Sequence, residues 1–362
     1  MKKKIDGKAL VYCQDAFNTP EGKTAHGLVR FTERYDIVGV IDSNYEGKDA
    51  GKVLDGKNKG VPIFNSIETA IKELKEKGAI PQTLVIGLAP DGGRLPIIAK
   101  DAIKKALTLG WNVDSGLHDF LTNDKELVAL AKQNDCRIRD VRKTPDRDTL
   151  HFFTGEIEKV DCLKLAVLGT DSAIGKRTTA QIIVQALDNE SRNAVMIGTG
   201  QTAWMQGAKY TMIMDSCIND FVSGEIEHAI VSAFKNEDPD VIVIEGQGSL
   251  MNPAYPGGFE ILAAGRPDYV ILQHAPKRLE YDGFPGYKLH ALKKQIQAIE
   301  MISGKKVLAI TVNHEGMTPE EITPACQKIT EQTGLPAFDI LAHGADKLID
   351  IIEKEIKKKR VT

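Results

Sequence analysis

The sequence predicts an α/β protein made of two parallel-sheet domains in series, and three observations predict it. Short apolar runs alternate with helix-patterned segments along the chain. In the second half these runs are continuously apolar, the pattern of strands covered on both faces. One of them, Leu165-Ala-Val-Leu168, opens into a glycine loop ending in Gly175-Lys176, ahead of a helix-forming stretch.

In the first domain, residues 1–145, Lys8–Cys13 reads as a strand, Thr24–Arg34 as a helix, and Ile37–Asp42 as a second strand ending in an acid. A Ser-x-x-Thr cap opens a helix over Ser66–Lys77. Strand Thr83–Leu88, helix Leu95–Leu109, strand Trp111–Asp114, helix Glu126–Asn134 and strand Cys136–Asp140 complete a Rossmann-like parallel sheet. It lacks G-x-G-x-x-G after its first strand, which argues against a dinucleotide site; Gly22-Lys23-Thr24 reads as a turn and helix cap or a weak phosphate site. Residues 146–162, led into by Arg142-Lys-Thr-Pro145, read as a linker rich in charge and turn formers.

The second domain, residues 163–362, offers strands at Leu163–Leu168, Ala194–Ile197, Val241–Ile244, Tyr269–Leu272, Val307–Val312 and Ala337–Leu341. Helices fit Lys176–Leu187, Gly224–Phe234, Tyr287–Met301 and Pro319–Thr333. With its glycine loop this is a P-loop NTPase-like parallel sheet domain, whose ligands belong at the carboxyl ends of the strands.

The 362 residues fit two domains. A composition of 42% hydrophobic and 27% charged residues is ordinary for a globular protein. A net charge of −3 leaves no basic excess for nucleic acid, and 6% aromatics argue against a single-strand stacking platform. Cys13, Cys136, Cys162, Cys217 and Cys326 have neither metal-ligand nor disulfide spacing, so no metal site is expected and the thiols read as reduced in a cytoplasmic protein. No run approaches the length of a membrane span, and Ala9–Cys13 is too short for a signal-peptide core. The lysine runs Met1–Lys4 and Lys357–Arg360 read as frayed, solvated ends. A homodimer is the base-rate expectation.

The loop Gly169-Thr170-Asp171-Ser172-Ala-Ile-Gly175-Lys176 carries the strongest chemical signal. Backbone N–H groups there can surround a phosphate, and Lys176 can neutralise it. Arg177 stands where the usual pattern has a Mg²⁺-binding hydroxyl, and hydroxyls follow only at Thr178 and Thr179. Either other groups hold Mg²⁺, or the bound phosphates belong to something other than a hydrolysed nucleotide.

Further candidates follow the other strands. Glu245, ending Asp240–Glu245, can accept a substrate proton, hold a metal through water, or cap nearby N–H groups. Gly200 and Gln201, in Gly198-Thr-Gly-Gln-Thr202, and Gln247, in Glu245-Gly-Gln-Gly248, suit close approach to a substrate or tight turns. Asp215 and Asp220 can bind substrate or cap the helix that follows. His274 reads as a general base or a structural histidine, and Arg278 or Arg142 as a carboxylate clamp. Asn313, after Val307–Val312, can read an adenine edge or close a turn. His118, Asp119, Arg139 and Asp140 are weaker candidates for a cleft.

The G-T-D-x-x-x-G-K loop with Glu245-Gly-Gln-Gly248 resembles dethiobiotin synthetase and its P-loop relatives, with Arg177 as the departure. That likeness implies an ATP–Mg²⁺ ligase or kinase with Asn313 on adenine. A likeness covering nearly the whole chain runs through Asp140–Pro145, Gly169–Ala180, Gly198–Thr202, Asp220–Glu225, Ile244–Ser249 and His274–Arg278. It is similar to the DUF1611 family, in which Lys-x-Thr-Thr is the ordinary spelling. That resemblance implies an N-acetyltransferase carrying acetyl from acetyl-CoA to D-glutamate, beside an enolase-like N-acyl racemase in D-amino-acid catabolism. Lys176 and Arg177 would then meet the phosphates of coenzyme A, and Glu245 or His274 would take the amine proton. A nucleotide-sensing module without turnover is the non-enzymatic alternative.

Overall fold

The computed structural model describes residues 4–360; most of the amino-terminal lysine run lies outside them. In chain order the strands are β1 (Lys8–Tyr12), β2 (Asp36–Ile41), β3 (Ile63–Phe64), β4 (Thr83–Ile86), β5 (Asn112–Ser115), β6 (Ile138–Asp140), β7 (Leu163–Gly169), β8 (Ala194–Gly198), β9 (Tyr210–Thr211), β10 (Val241–Glu245), β11 (Tyr269–His274), β12 (Lys306–Val312) and β13 (Ala337–Phe338). The helices are α1 (Lys23–Arg30), α2 (Ala50–Asp55), α3 (Ile67–Glu76), α4 (Ile97–Thr108), α5 (Lys125–Gln133), α6 (Lys176–Asn189), α7 (Gln201–Gln206), α8 (Asn219–Glu237), α9 (Phe259–Ala264), α10 (Leu292–Ser303), α11 (Pro319–Thr333), α12 (Ile340–His343) and α13 (Asp346–Lys359).

The chain forms two compact units: residues up to Thr144 with Gln201–Ala208, and Pro145–Gly200 with the chain from Lys209 onward. In the first, a parallel sheet runs β3-β2-β1-β4-β5-β6, the Rossmann order. Its centre is dry because β1 and β4 contribute Leu10, Val11, Val85 and Ile86 to both faces. Local signals place its helices: Ser66 accepts from Thr69 N to open α3, and Asp124 accepts from Glu126 N and Leu127 N to open α5.

Helix α7 belongs to this first unit although its sequence follows β8. Gln206 Nε2 donates to Gly27 O (2.8 Å) and Phe31 O (2.9 Å). The Trp204 ring lies under the guanidinium carbons of Arg34, at 3.7 Å, and Arg139, at 4.7 Å. Arg139 also donates from Nε to the fully buried Asp114 (2.8 Å), so it serves the core of this unit, not a cleft.

In the second unit a parallel sheet runs β13-β12-β11-β7-β10-β8-β9, with β7 between β10 and β11. Leu165 and Val167 of β7 face the core shared with α6 and α13, while Ala166 and Leu168 face the core under α8–α11. Two expectations change here. Lys357–Lys359 are the last turn of α13, which buries Leu348, Ile352 and Ile356; they are not a frayed tail. Helix α10 starts at Leu292 because residues 279–289 fold back as a hairpin-like loop, with Leu289 N donating to Leu279 O and Tyr281 N to Tyr287 O.

The stretch before β7 is strapped onto α8. Glu227 accepts from Thr154 N (2.6 Å) and Ile157 N (3.0 Å), and Glu225 accepts from His151 N (2.6 Å). Gly224 leaves room for it: a Cβ there would sit 2.0 Å from His151 O. The Phe221–Glu225 segment thus docks a strap, and Asp220 sits exposed on the first turn of the same helix.

Candidate functional site

Parallel registry brings the informative residues to one edge of the second unit's sheet. Glu245 pairs with Val167 and Gln273 with Gly169, so β7, β10 and β11 end together. Between them β7 turns into the P-loop. Gly175 takes a left-handed φ of 99°, and α6 starts at Lys176 with no side-chain cap on its first turn. The first N–H groups of a helix have no intrahelical partner and carry its positive end, so this is where an anion fits. Lys176 is buried, and its Nζ donates to Asp171 O and Gly248 O, each at 2.7 Å.

Asp171 organises the loop. It is fully buried and accepts four hydrogen bonds: Ser172 N (2.7 Å), Asn252 Nδ2 (2.8 Å), Asp282 N (2.9 Å) and Arg278 Nη1 (3.0 Å). An anion so engaged holds the loop rather than a phosphate. Arg278 also donates to Ser172 O (2.8 Å) and, through Nη2, to Glu315 (2.6 Å). These contacts brace the P-loop. Asn313 Nδ2 donates to Ile174 O (3.0 Å) and its Oδ1 accepts from Glu315 N (2.9 Å). These contacts tie it to the loop and leave one N–H and one lone pair for an adenine edge.

Other hydroxyls point inward. Thr179 and Thr311 both donate to Gln273 Oε1 at 2.5 Å, so Thr179 ties α6 to the sheet. Thr170 is buried, with Oγ1 3.0 Å from His274 Nδ1. Burial pushes the His274 imidazole down to about 4, so at neutral pH it is an uncharged, weak base. Gly169, Ser172, Gly175, Arg177 and the half-buried Thr178 stay with the loop and first turn.

Glu245 is the second buried carboxylate at this edge of the sheet. It is buried at the end of β10, and Oε2 accepts from Thr199 N (2.9 Å). Burial raises its pKa, opposed by the charges of Arg177 and Lys176 and by the N–H groups of Thr199 and Gly200. Gln247 Nε2 donates to Thr199 Oγ1 (3.0 Å), and a Cβ on Gly200 would lie 2.9 Å from that amide nitrogen. Glu245, Gln247 and Gly200 therefore form one cluster beside the P-loop. Asp215 lies exposed in the turn Met214–Ser216. In the first unit, Arg142 donates to Gly116 O (2.7 Å), and Gln201 packs against the same glycine.

Sequence reasoning missed Thr199, Asn252, Gln273 and Asp282. Thr199 sits inside the Gly198–Thr202 motif and Gln273 directly follows the predicted strand Tyr269–Leu272, and a position just past a strand end was the signal. Asn252 and Asp282 lie in irregular loops with no periodicity to mark them.

Fold and site define a two-domain α/β protein with a Rossmann-like unit and a P-loop unit. Residues 43–144 match the DUF1611 Rossmann-like domain and residues 151–349 the DUF1611 P-loop domain, both described as domains of unknown function. The chain belongs to the DUF1611 family. A crystal structure of a DUF1611 family protein from Anabaena variabilis is 29% identical, with a TM-score of 0.87 over 96% of this chain and 99% of that one. Two relatives named D-glutamate N-acetyltransferase are each 30% identical. That of Tritonibacter scottomollicae matches over 79% of this chain and 84% of its own length; that of a Pseudoalteromonas species matches over 78% and 84%. No described helix is long and apolar enough to cross a membrane.

Proposed function

We propose that the protein is an acetyl-CoA-dependent N-acetyltransferase acting on the amine of a D-amino acid, D-glutamate first. One observation carries the reading: a buried, raised-pKa carboxylate, Glu245, lies under the influence of Lys176 and Arg177 at the mouth of a P-loop. The names of the two relatives support the chemistry.

The residues fit coenzyme A. The α6 N-terminus, Lys176 and Arg177 meet its phosphates, and acyl transfer needs no Mg²⁺ ligand. Glu245 takes a proton from the substrate ammonium. The freed amine attacks the thioester carbonyl, the N–C bond forms and the C–S bond breaks. Gly246 N already donates to Val167 O, so N–H groups of Gln247 and Gly248, or of the Gly198–Gln201 loop, would stabilise the oxyanion. The nitrogen then gives its second proton to the departing thiolate, and Glu245 releases the first to solvent. The test is thiol release from acetyl-CoA with D-glutamate, against L-glutamate and no-amine controls. Release with the D isomer is the expected result, and Glu245→Gln should cut kcat by ~10²–10⁴ with little change in KM. An unchanged kcat in that variant removes Glu245 as the base.

The second reading is an ATP–Mg²⁺ ligase or kinase of the dethiobiotin synthetase type, which draws on the same loop. Arg177 counts against it, and ADP production with no thiol release would favour it.

A further inference from the structure

Asn313 spends one N–H and one lone pair on the P-loop and the turn beside it, and a base attached to phosphates bound there would also need an apolar surface against its face. The loops after β10 and β11 offer one. Asp171 pins both: it accepts from Asn252 Nδ2 on one side and Asp282 N on the other. Asn252 Oδ1 in turn accepts from Ala254 N (2.9 Å) and Tyr255 N (2.8 Å), fixing the backbone that carries Tyr255. Ser249 N donates to Tyr255 O (3.2 Å), and Gly248 O receives the Lys176 ammonium, so Tyr255 is two hydrogen bonds and one residue from the phosphate-binding lysine.

On the other side Asp282 leads into the 279–289 hairpin. Tyr281 anchors it: its ring is buried and its hydroxyl is 2.8 Å from His290 Nδ1. The tip turns through Gly283 and Gly286, at φ of 78° and 88°. It carries Phe284 and Tyr287. Tyr255 and Phe284 meet edge-to-face with centroids 6.4 Å apart, and Phe284 and Tyr287 likewise at 6.4 Å. Tyr287 is 59% exposed and Tyr255 45% exposed. Solvent-facing rings held beside a phosphate loop suit a planar, apolar-faced group joined to the phosphates.

We infer that Tyr255, Phe284 and Tyr287 form the stacking platform for the adenine-type base of the nucleotide whose phosphates the P-loop holds. This rests on the P-loop reading above. It commits to the shared chemistry of a phosphorylated adenosine, from coenzyme A or from an adenosine polyphosphate.

The test is calorimetric titration of the full chain with adenosine 3′,5′-bisphosphate, ADP and tripolyphosphate. Parent, Tyr255→Ala, Tyr287→Ala and Tyr287→Phe are compared. Stacking lost on truncation to alanine corresponds to an affinity loss of ~5- to 150-fold per base. The alanine variants should lose that much for the nucleotides and keep the parent's tripolyphosphate affinity, while Tyr287→Phe keeps the parent's affinity for both. Preference for the bisphosphate points to coenzyme A, preference for ADP to a polyphosphate nucleotide, and either supports the platform. Equal losses for nucleotide and tripolyphosphate overturn it, because the rings would then only shape the loop. Unchanged nucleotide affinity also overturns it. If the parent binds tripolyphosphate but no adenine nucleotide, the platform falls and the P-loop stands; if it binds neither, both fall.

Discussion

Asp171→Ala tests how the P-loop is held. The carboxylate accepts four hydrogen bonds and is fully buried, so truncation strands Ser172 N, Asp282 N, Asn252 Nδ2 and the Arg278 guanidinium at once. A buried donor left unsatisfied costs ~1–3 kcal/mol. Breaking a buried charge pair from one side costs ~3–5 kcal/mol. These losses overlap, since Arg278 keeps Glu315 and water can enter the gap, so about 3–5 kcal/mol is expected in total. Asp171→Asn keeps one acceptor oxygen and should lose about half as much. Both tryptophans, Trp111 and Trp204, belong to the first unit, so fluorescence would report on the wrong place. Urea unfolding followed by circular dichroism, with amide exchange of α6 peptides, reads the second unit directly. Glu315→Gln is the control: its side chain is 53% exposed, and removing its charge should cost under ~1 kcal/mol. If Asp171→Ala unfolds within ~1 kcal/mol of the parent, or α6 exchange is unchanged, the four-bond hub is not what holds the loop.

Lys176→Ala should weaken coenzyme A and tripolyphosphate binding ~10- to 150-fold, the worth of one charged hydrogen-bonding group, as read by calorimetry. His274, held down to about 4 when folded against a usual 6.5, binds its proton more readily in the unfolded chain. Stability should therefore rise with pH from about 4 to 6.5 and be lost as pH falls through that window; His274→Gln should flatten urea midpoints there, and a parent-like slope would discount the imidazole. Gly224→Ala places a Cβ 2.0 Å from His151 O, a backbone atom that cannot step aside alone. It should cost ~1–3 kcal/mol and speed proteolysis of the 147–160 strap.

How much of this was legible beforehand follows from what carries the signal. Buried strands such as Val241–Glu245 and Tyr269–His274 announce themselves as apolar runs, and the register that aligns Glu245 with the P-loop follows from the fold. The glycine-lysine turn was legible because the motif depends on local backbone conformation. Side-chain partners were not. Arg278 and Asn313 look equally suited to a ligand or to the loop beneath it, and only the third dimension shows them bound to Asp171 and Ile174. Short elements such as β3 and α7 were missed because two to six residues cannot display a period. Helix α10 was begun too early, at Tyr287, because the apolar spacing of the hairpin's end continued that of the helix.

The detour through α7 has a practical meaning for anyone who would cut the protein in two. A fragment ending at Thr144 lacks the helix whose Met205 is buried in its own core. A fragment starting at Pro145 carries Trp204 and Met205 without Arg34, Arg139 and Gly27 to receive them. Simple scission therefore leaves one half with a hole and the other with a sticky excursion. Separate halves would need Gly200 joined to Lys209 by a short turn in one gene, and the eight excised residues grafted onto the other.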